Sequence, residues 1–541
     1  MLTFITPALG VLTLIAPTVR ADWQFVSRPD LSPPLMNISI PAGEDVAKGY
    51  IFVTPYRGFI QSEGLDGPEQ PGAYIFRDSG DLVWSSIGIM DGWVGNFQVT
   101  RWRGEEVLQA FQGTLDSFHG HGYGHPTLLN RHYESIREVR PANHRIISIH
   151  EFRVVDEKSA LTEIYQPTAI DLSPYGGKPD QQWIADAIIQ EFDIATGKLI
   201  FEWRSLDHVD PGDSKISLTS GAAFNGINSS VAWDFFHANS VDKDDQGNYL
   251  VSARHMSTIY KINGTSGDII WKLGGKHSDF TTPLELEFAY QHDARFRSRS
   301  ANDQIEVISF FDNAARSNGH RGGGVDQIND HSSAKFVMLN TSDWTAKLVH
   351  SLPSPERLLA TSQGNVQLLP NGNIFVNWGQ SGAVTEYRAS DKAPIFHAYL
   401  DSGAIGTGVQ SYRGFRFNWT GLPNEAPAIA ALQKGDTTTV YVSWNGDTVT
   451  SAWRFFSVKG AKKYFLGEVA KESFETAFSF ASDAYASADG QVVVFAEALG
   501  ADARVLSRTE ETASTWDIRF TSKRPLPHIG LQKQGDIPAD L

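Results

Sequence analysis

The sequence predicts an all-β chain, a β-propeller of five or six blades built mostly from four-stranded antiparallel sheets. Three observations carry this. Helical periodicity is scarce along the whole chain. Apolar residues alternate or gather in short runs bounded by Asp-Gly and Asn-Gly turns, as strands require. Two phrases also recur in altered form, which marks a repeat architecture.

The first phrase is a strand, a glycine turn and a second strand that reaches a tryptophan. It stands at AYIFRDSGDLVWSS (73–86), EFDIATGKLIFEWRS (191–205) and IYKINGTSGDIIWKLGG (259–275). The second is a polar turn followed by a strand, at DKDDQGNYLVSAR (242–254), LPNGNIFVNWG (369–379) and ASADGQVVVFAEA (486–498). A pair of β-sandwiches would explain the strands but not this repetition. Trp203 and Trp271 fall inside the repeated phrase and are expected to fill the cores of blades rather than to face substrate. DKDDQG resembles a calcium loop, but Ala253 stands where the twelfth-position glutamate belongs, so a blade turn is the expectation.

Composition narrows the function. The chain has 541 residues, 41% hydrophobic and 20% charged, with a formal charge of −16. That balance argues against nucleic acid or an anionic membrane as partner, since both favour basic surfaces. The absence of cysteine excludes thiol nucleophiles and Cys-based metal sites. An apolar run from Leu2 to about Ala16, followed by Val19-Arg20-Ala21, predicts a signal peptide over 1–21 cleaved after Ala21. The run is short for a membrane anchor, and no other stretch is long enough to span. Residues 22–541 are then expected to form a single propeller domain. Sequons at Asn37, Asn228, Asn263, Asn340 and Asn418 fit glycosylation on the secretory route, so the protein is expected to be secreted or held in a secretory compartment.

Four segments concentrate histidine with its usual helpers: SFHGHGYGHPTLLN (His119, His121, His125), WDFFHANSV (His237, Asn239) with SARH (Arg254, His255), FAYQHDARF (His292, Asp293, Arg295) and ISFFDNAAR (Asp312, Asn313, Arg316). Residues i and i+2 of a strand share a face, so His237 and Asn239 are expected to project together. Histidine serves as nucleophile, base or acid near neutral pH, and Arg or Asn stabilises developing oxyanion charge. The HGHGYGH run could hold a metal, but its glycines suggest a bent loop and no acidic ligand is close by. No metal and no cofactor are expected.

These stretches, with IHEF (149–152), IIWKLGGKHSDF (269–280), QGNVQLLPNGNIFVNWG (363–379), SYRGFRF (411–417) and YVSWNGDT (441–448), resemble the arylsulfotransferase-like family, specifically its secreted fungal branch. The resemblance runs in order from about residue 50 to 450 and implies a propeller. It also implies a sulfuryl-accepting histidine at His292, a companion pair at His237 and Asn239, and a cation at Arg254. The bacterial relatives' cysteine pair and their separate N-terminal β-sandwich domain are absent.

Two reactions follow from this resemblance. In the first, like that of hetero-Diels–Alderases of the fungal branch, a tropolone-type substrate is dehydrated to a quinone methide and joined to a terpene alkene. His292, His237 and Arg413 would contact the oxygen-bearing ring, Phe235, Phe236 and Tyr290 would supply apolar walls, and His121 and Asn313 further contacts. In the second, His292 attacks an aryl sulfate, with Arg254, Arg295 and Asn239 stabilising the group in transfer. The sequence reading ranks the cyclisation first, sulfuryl transfer second and a non-catalytic ligand-binding propeller third. Small aromatic and terpene molecules are the expected partners.

Overall fold

A computed structural model describes residues 22–58, 68–117, 119–218, 224–317, 325–400, 409–488 and 490–517. The expected signal peptide over 1–21 lies outside the described residues. The chain is all-β, and among the described residues its contacts divide it into two compact units, with residues 22–25, 29–424 and 445–448 in the first and residues 26–28, 425–444 and 449–517 in the second. A single domain over 22–541 is the expectation from the sequence. The division arises because the strands after residue 425 pair with one another and not with the sheets before them.

Among its described residues the first unit contains six four-stranded antiparallel meanders and one two-stranded sheet, Ala315–Ser317 with Val325–Gln327. Tyr50–Arg57, Tyr74–Phe76 and Leu82–Ser85 form the first, completed from the far end of the chain by Val409–Phe417, which pairs Phe52 with Phe415. The second runs through Trp93–Trp102, Glu105–Asp116, His121–Leu129 and Ser135–Glu138. The third is Phe152–Val155, Ser159–Ala169, Trp183–Asp193 and Leu199–Arg204, and the fourth Ala238–Lys243, Tyr249–Ala253, Thr258–Ile262 and Ile269–Gly274. The fifth comprises His292–Arg299, Ile305–Asp312, Ser333–Asn340 and Thr345–Pro353. The sixth is Asn365–Leu368, Ile374–Asn377, Ala383–Tyr387 and Pro394–Tyr399, with Asn37–Ile40 added at its edge. Val409–Phe417 touches Trp93–Trp102, and from there the first strand of each sheet touches the first strand of the next. The sixth touches Val409–Phe417 again, so the contacts form a cycle.

The recurring tryptophans explain how neighbouring sheets stay together. Trp84, Trp203 and Trp271 end the strand–turn–Trp phrase and are at most 1% exposed. Trp84 of the first sheet stacks on Phe97 of the second. Trp203 of the third donates Nε1–H to the Gly267 carbonyl of the fourth at 3.0 Å, and Trp271 of the fourth donates to Glu306 of the fifth at 3.2 Å. Each indole thus buries its area between two sheets while its one polar atom finds a partner beyond its own sheet in two of the three cases. The DKDDQG segment is a hairpin turn between adjacent strands of the fourth sheet. Gly247 takes φ +88° there, a region other residues rarely enter. Lys261 Nζ, 3.2 Å from Asp244 and hydrogen-bonded to Glu306, stands where a calcium ion would need ligand oxygens.

Among its described residues the second unit contains two sheets. One holds Ala428–Lys434, Thr437–Ser443, Glu475–Ala481 and Thr515–Trp516; the other holds Ala452–Lys459, Lys462–Ala470, Val493–Leu499 and Val505–Arg508, with Thr512–Ala513 off its path. Phe455 of one stacks on Phe478 of the other at 4.8 Å. The ASADGQVVVFAEA phrase belongs here and is not part of the six-sheet repeat. None of the five sequon asparagines is buried. No helix among the described residues is long and apolar enough to cross a membrane.

Candidate active site

All six meanders of the first unit deliver a residue to one polar cluster. His121 opens a strand of the second sheet, and His150 and Tyr165 come from the third. His237, Arg254 and His255 flank adjacent strands of the fourth, where the Arg254 N–H bonds the His237 carbonyl at 2.9 Å. His292 opens the fifth sheet and Asn313 follows its second strand. Gln363 precedes the sixth, and Tyr412 lies on the strand that completes the first. Short loops hold these groups. His237 and Tyr290 adopt φ of +53° and +57°, left-handed conformations that are uncommon outside glycine and concentrate at functional sites.

Asp234 is fully buried and organises three imidazoles. Its Oδ2 accepts Nδ1–H of His237 at 2.5 Å and Nε2–H of His121 at 2.9 Å. His255 donates Nδ1–H to the Asp234 main-chain carbonyl at 2.6 Å. Burial alone would raise the Asp234 carboxyl, but the imidazoles of His237, His255 and His121 hold it well below the usual carboxylate range. His121, Asp234 and His237 also place ligand atoms close enough for a shared metal ion. Two atoms each about 2.0–2.2 Å from a tetrahedral ion stand well over 3 Å apart, so the 2.5 and 2.9 Å separations are those of hydrogen bonds.

The partners fix the tautomers. Asn313 donates Nδ2–H to the Ala360 and Gln363 carbonyls at 2.7 and 3.0 Å, so its Oδ1 faces His292 and accepts Nδ1–H at 2.6 Å. The lone pair of His292 is therefore on Nε2, which accepts the Gln363 N–H at 3.2 Å. His237 carries its lone pair on Nε2 as well, and that atom makes no hydrogen bond with a described residue. Burial lowers the pKa of His150, His237, His255 and His292 alike; for His292 the Arg254 charge adds to it, while for His237 the Asp234 charge opposes it. These are neutral imidazoles at pH 7.

Arg254 is the cation of the cluster. It donates Nη1–H to His255 Nε2 and Nη2–H to the Thr361 carbonyl, both at 3.0 Å, and lies 5.6 Å over the Tyr290 ring. Its buried Nε has no partner, and no carboxylate of the described residues pairs with it. Burial and the neighbouring Arg316 bring its pKa down to about 10. A cation left unpaired in such a place is a site for an anion.

The other expected residues divide. Tyr290 lies between Arg254 and Arg316, whose Nε–H meets its hydroxyl at 3.3 Å. Of the HGHGYGH histidines His121 is hydrogen-bonded into the cluster; His119 bonds Asp116 with its ring 6.4 Å from that of His121, and His125 lies against Gln112 and Glu138. The i, i+2 rule does not govern His237 and Asn239, because the strand begins only at Ala238; the Asn239 Nδ2–H bonds the Gln291 carbonyl at 2.7 Å, next to His292. Phe235 and Phe236 are 0% exposed and pack with Trp203 and Trp233 in an apolar core, so they offer no wall to a substrate. Arg295 and Arg413 are engaged by carboxylates, both pairing with Glu151 (2.6 and 2.8 Å) and Arg295 also with Asp293 at 2.7 Å.

Sequence reasoning missed Asp234, His150, Tyr165, Tyr412 and Gln363. Asp234 was visible as an Asp three residues before His237, the spacing of a turn-capping pair. Tyr412 lies beside Arg413 in SYRGFRF, and strand alternation sends the two to different surroundings.

An arylsulfotransferase (ASST) family model matches residues 98–398, the stretch from the second sheet through the sixth. A comparison with curated proteins finds no match. Among solved structures, a protein of unknown function from Bacteroides caccae is 11% identical over 68% of this chain and 98% of its own, with a TM-score of 0.33. A mutant of a GH43 protein from Bacillus licheniformis is 9% identical over 78% of this chain and 90% of its own, with a TM-score of 0.28. Both overlaps are too slight to bear on fold or function. The family match, in contrast, spans more than half of the 541 residues and contains the histidine cluster except Tyr412, and on it the chain belongs to the arylsulfotransferase family.

Proposed function

We propose that this protein transfers a sulfuryl group from an aryl sulfate to a phenol without a nucleotide donor, in a pocket on the axis of a six-bladed propeller. The cycle of contacts among the six sheets supports the propeller. The observation that carries the reaction is Arg254: a guanidinium with no carboxylate partner among neutral imidazoles is built to receive an anionic group.

In the first half-reaction His292 Nε2 gives up the Gln363 N–H and attacks sulfur, the N–S bond forms, and the S–O bond to the aryl group breaks. The aryloxide leaves and takes a proton from solvent. Arg254 balances the sulfuryl oxygens throughout. In the second half-reaction the acceptor phenol gives its proton to His237 Nε2, with Asp234 stabilising the imidazolium, and its oxygen attacks sulfur to release His292. The His237 proton then returns to solvent. The leader-like segment over 1–21 and the unburied sequons support a secretory location for this chemistry.

The cyclisation reading loses two of its three apolar walls, Phe235 and Phe236, and keeps only Tyr290 in a cluster that is otherwise mostly polar. The test is incubation of the purified protein with 4-nitrophenyl sulfate and a phenol acceptor, followed by mass spectrometry of the protein and its peptides. A sulfo group on His292 and a sulfated acceptor are expected. Sulfation of His237 would reassign the nucleophile, and the absence of both sulfo-enzyme and product would overturn the reaction.

A further inference from the structure

The first unit holds a second polar chamber along the same inner strands. It measures about 280 Å³, and its lining includes Glu151, Arg153, Asp293, Arg295 and Arg297. Strands rise roughly 3.3 Å per residue, so Arg297, five positions beyond His292 on one strand, lies on the order of 15 Å along it from the histidine. This is not the site of the proposed transfer.

The acceptors of the chamber are already satisfied. Glu151 accepts from Arg295, Arg413 and the Val241 N–H at 2.6, 2.8 and 3.2 Å. Asp293 accepts from Arg295 at 2.7 Å and from the Val366 N–H at 3.0 Å. Arg153 pairs with Asp242 at 3.0 Å. Gln109 donates to the Phe152 carbonyl at 2.7 Å, and Gln367 joins the Arg416 main chain at both ends of its amide.

Arg297 is the exception. Its Nε–H bonds Ser309 Oγ and its Nη2–H the Val366 carbonyl, both at 2.7 Å. It pairs with no carboxylate of the described residues, and Nη1 makes no hydrogen bond with any of them. Four guanidinium groups (Arg153, Arg295, Arg297, Arg413) meet three carboxylates (Glu151, Asp293, Asp242), leaving one positive charge. Burial brings the Arg297 pKa down to about 10, the response of a cation that lacks sufficient counter-charge.

We propose that this chamber is a binding site for a small oxyanion, a sulfate or a short carboxylate, held on the free edge of the Arg297 guanidinium. The planar fork of arginine matches such oxygens. Phe415 and Phe417 supply part of the wall. Because the lining comes from the inner strands of several sheets, a bound anion would hold them together and stabilise the fold.

The test uses the full chain and thermal unfolding in sodium sulfate or sodium acetate, at an ionic strength fixed with sodium chloride. A saturable rise in Tm is expected for the wild type, with the stronger arm identifying the preferred anion. Arg297→Met should weaken the apparent affinity at least tenfold, and Arg297→Lys should keep part of it. An equal rise in wild type and Arg297→Met, or no saturable rise, overturns the proposal. Crystals of the wild type grown with selenate give a readout that needs no variant: an anomalous peak beside Arg297 is expected, and its absence overturns the site.

Discussion

Asp234 Oδ2 accepts the Nδ1–H of His237 at 2.5 Å, and this contact leaves His237 Nε2 as the imidazole lone pair that meets no described residue. The same oxygen bonds His121, so one carboxylate sets the orientation of two rings. Asp234→Asn presents an amide whose N–H₂ cannot accept, which turns at least one ring or its tautomer. The analogous change in a Ser-His-Asp triad lowers kcat by about 10⁴ with geometry intact. Here a fall in kcat of about 10²–10⁴ in aryl sulfate turnover is expected with KM nearly unchanged. A fall confined to KM would show that Asp234 acts on binding instead.

Stability should fall as pH drops through the histidine range. His150, His237, His255 and His292 have depressed pKa values in the folded chain, so the unfolded chain binds more protons below its histidine value of about 6.5. Their stabilising contribution is full above that value and is lost on acidification. Glu163 runs the other way: burial and the Glu151 charge raise its pKa well above normal, so it favours folding at low pH. Four imidazoles against one strongly shifted carboxyl give a net positive slope. Urea unfolding between about pH 5.5 and 6.5 should show a midpoint that rises with pH. A flat or falling midpoint would mean that these histidines titrate normally.

Arg254→Met should separate activity from stability. The side chain donates to His255 and the Thr361 carbonyl, so its loss leaves two acceptors unmet, at about 1–3 kcal/mol each. Against this, methionine removes a buried unpaired cation, whose desolvation is costly. The terms oppose, and Tm is expected to move by only a few degrees. Loss of a preorganised charge that meets the sulfuryl oxygens costs about 10²–10³ in kcat. Steady-state kinetics beside thermal unfolding checks both halves, and an active Arg254→Met enzyme would remove Arg254 from the chemistry.

Much of the fold was legible in the sequence because it repeats. The strand–turn–Trp phrase reports a tryptophan that must be sealed between sheets, and Trp84, Trp203 and Trp271 are. The second unit was less legible because ASADGQVVVFAEA has the same local strand chemistry as the repeat; only long-range pairing assigns it elsewhere. In the site, histidines stood out by type, but their acceptors did not. Asp234 had only its spacing to His237 to mark it, and Tyr412 carries no local signal, since which way a strand residue faces depends on where the strand begins. A shift of one position separates Tyr412 from Arg413 and His150 from Glu151.

The DKDDQG turn should be indifferent to calcium, because Lys261 already neutralises it. Lys261 is buried beside Asp244 and Glu306. Lys261→Met strands two carboxylates and should destabilise by about 3–5 kcal/mol, the usual result of breaking a buried ion pair from one side. Calcium should leave the wild-type Tm unchanged. A rise with millimolar calcium would restore the turn as an ion site.

Phe236 and Tyr412 should behave oppositely on truncation. Phe236 is 0% exposed and packs on Trp203 and Tyr260, so Phe236→Ala opens a cavity and should cost about 3–5 kcal/mol. The fraction that stays folded should keep its KM, because the ring meets core and not substrate. Tyr412 lies against the rings of His150 and His292 with its hydroxyl buried and unpartnered. Tyr412→Phe removes that orphan group, so Tm should hold or rise while KM for the phenol acceptor increases several-fold. Chemical denaturation and acceptor-dependent kinetics on the two variants provide the comparison. A KM change in Phe236→Ala with Tyr412→Phe silent would put the substrate wall on the Phe236 side, as the cyclisation reading requires.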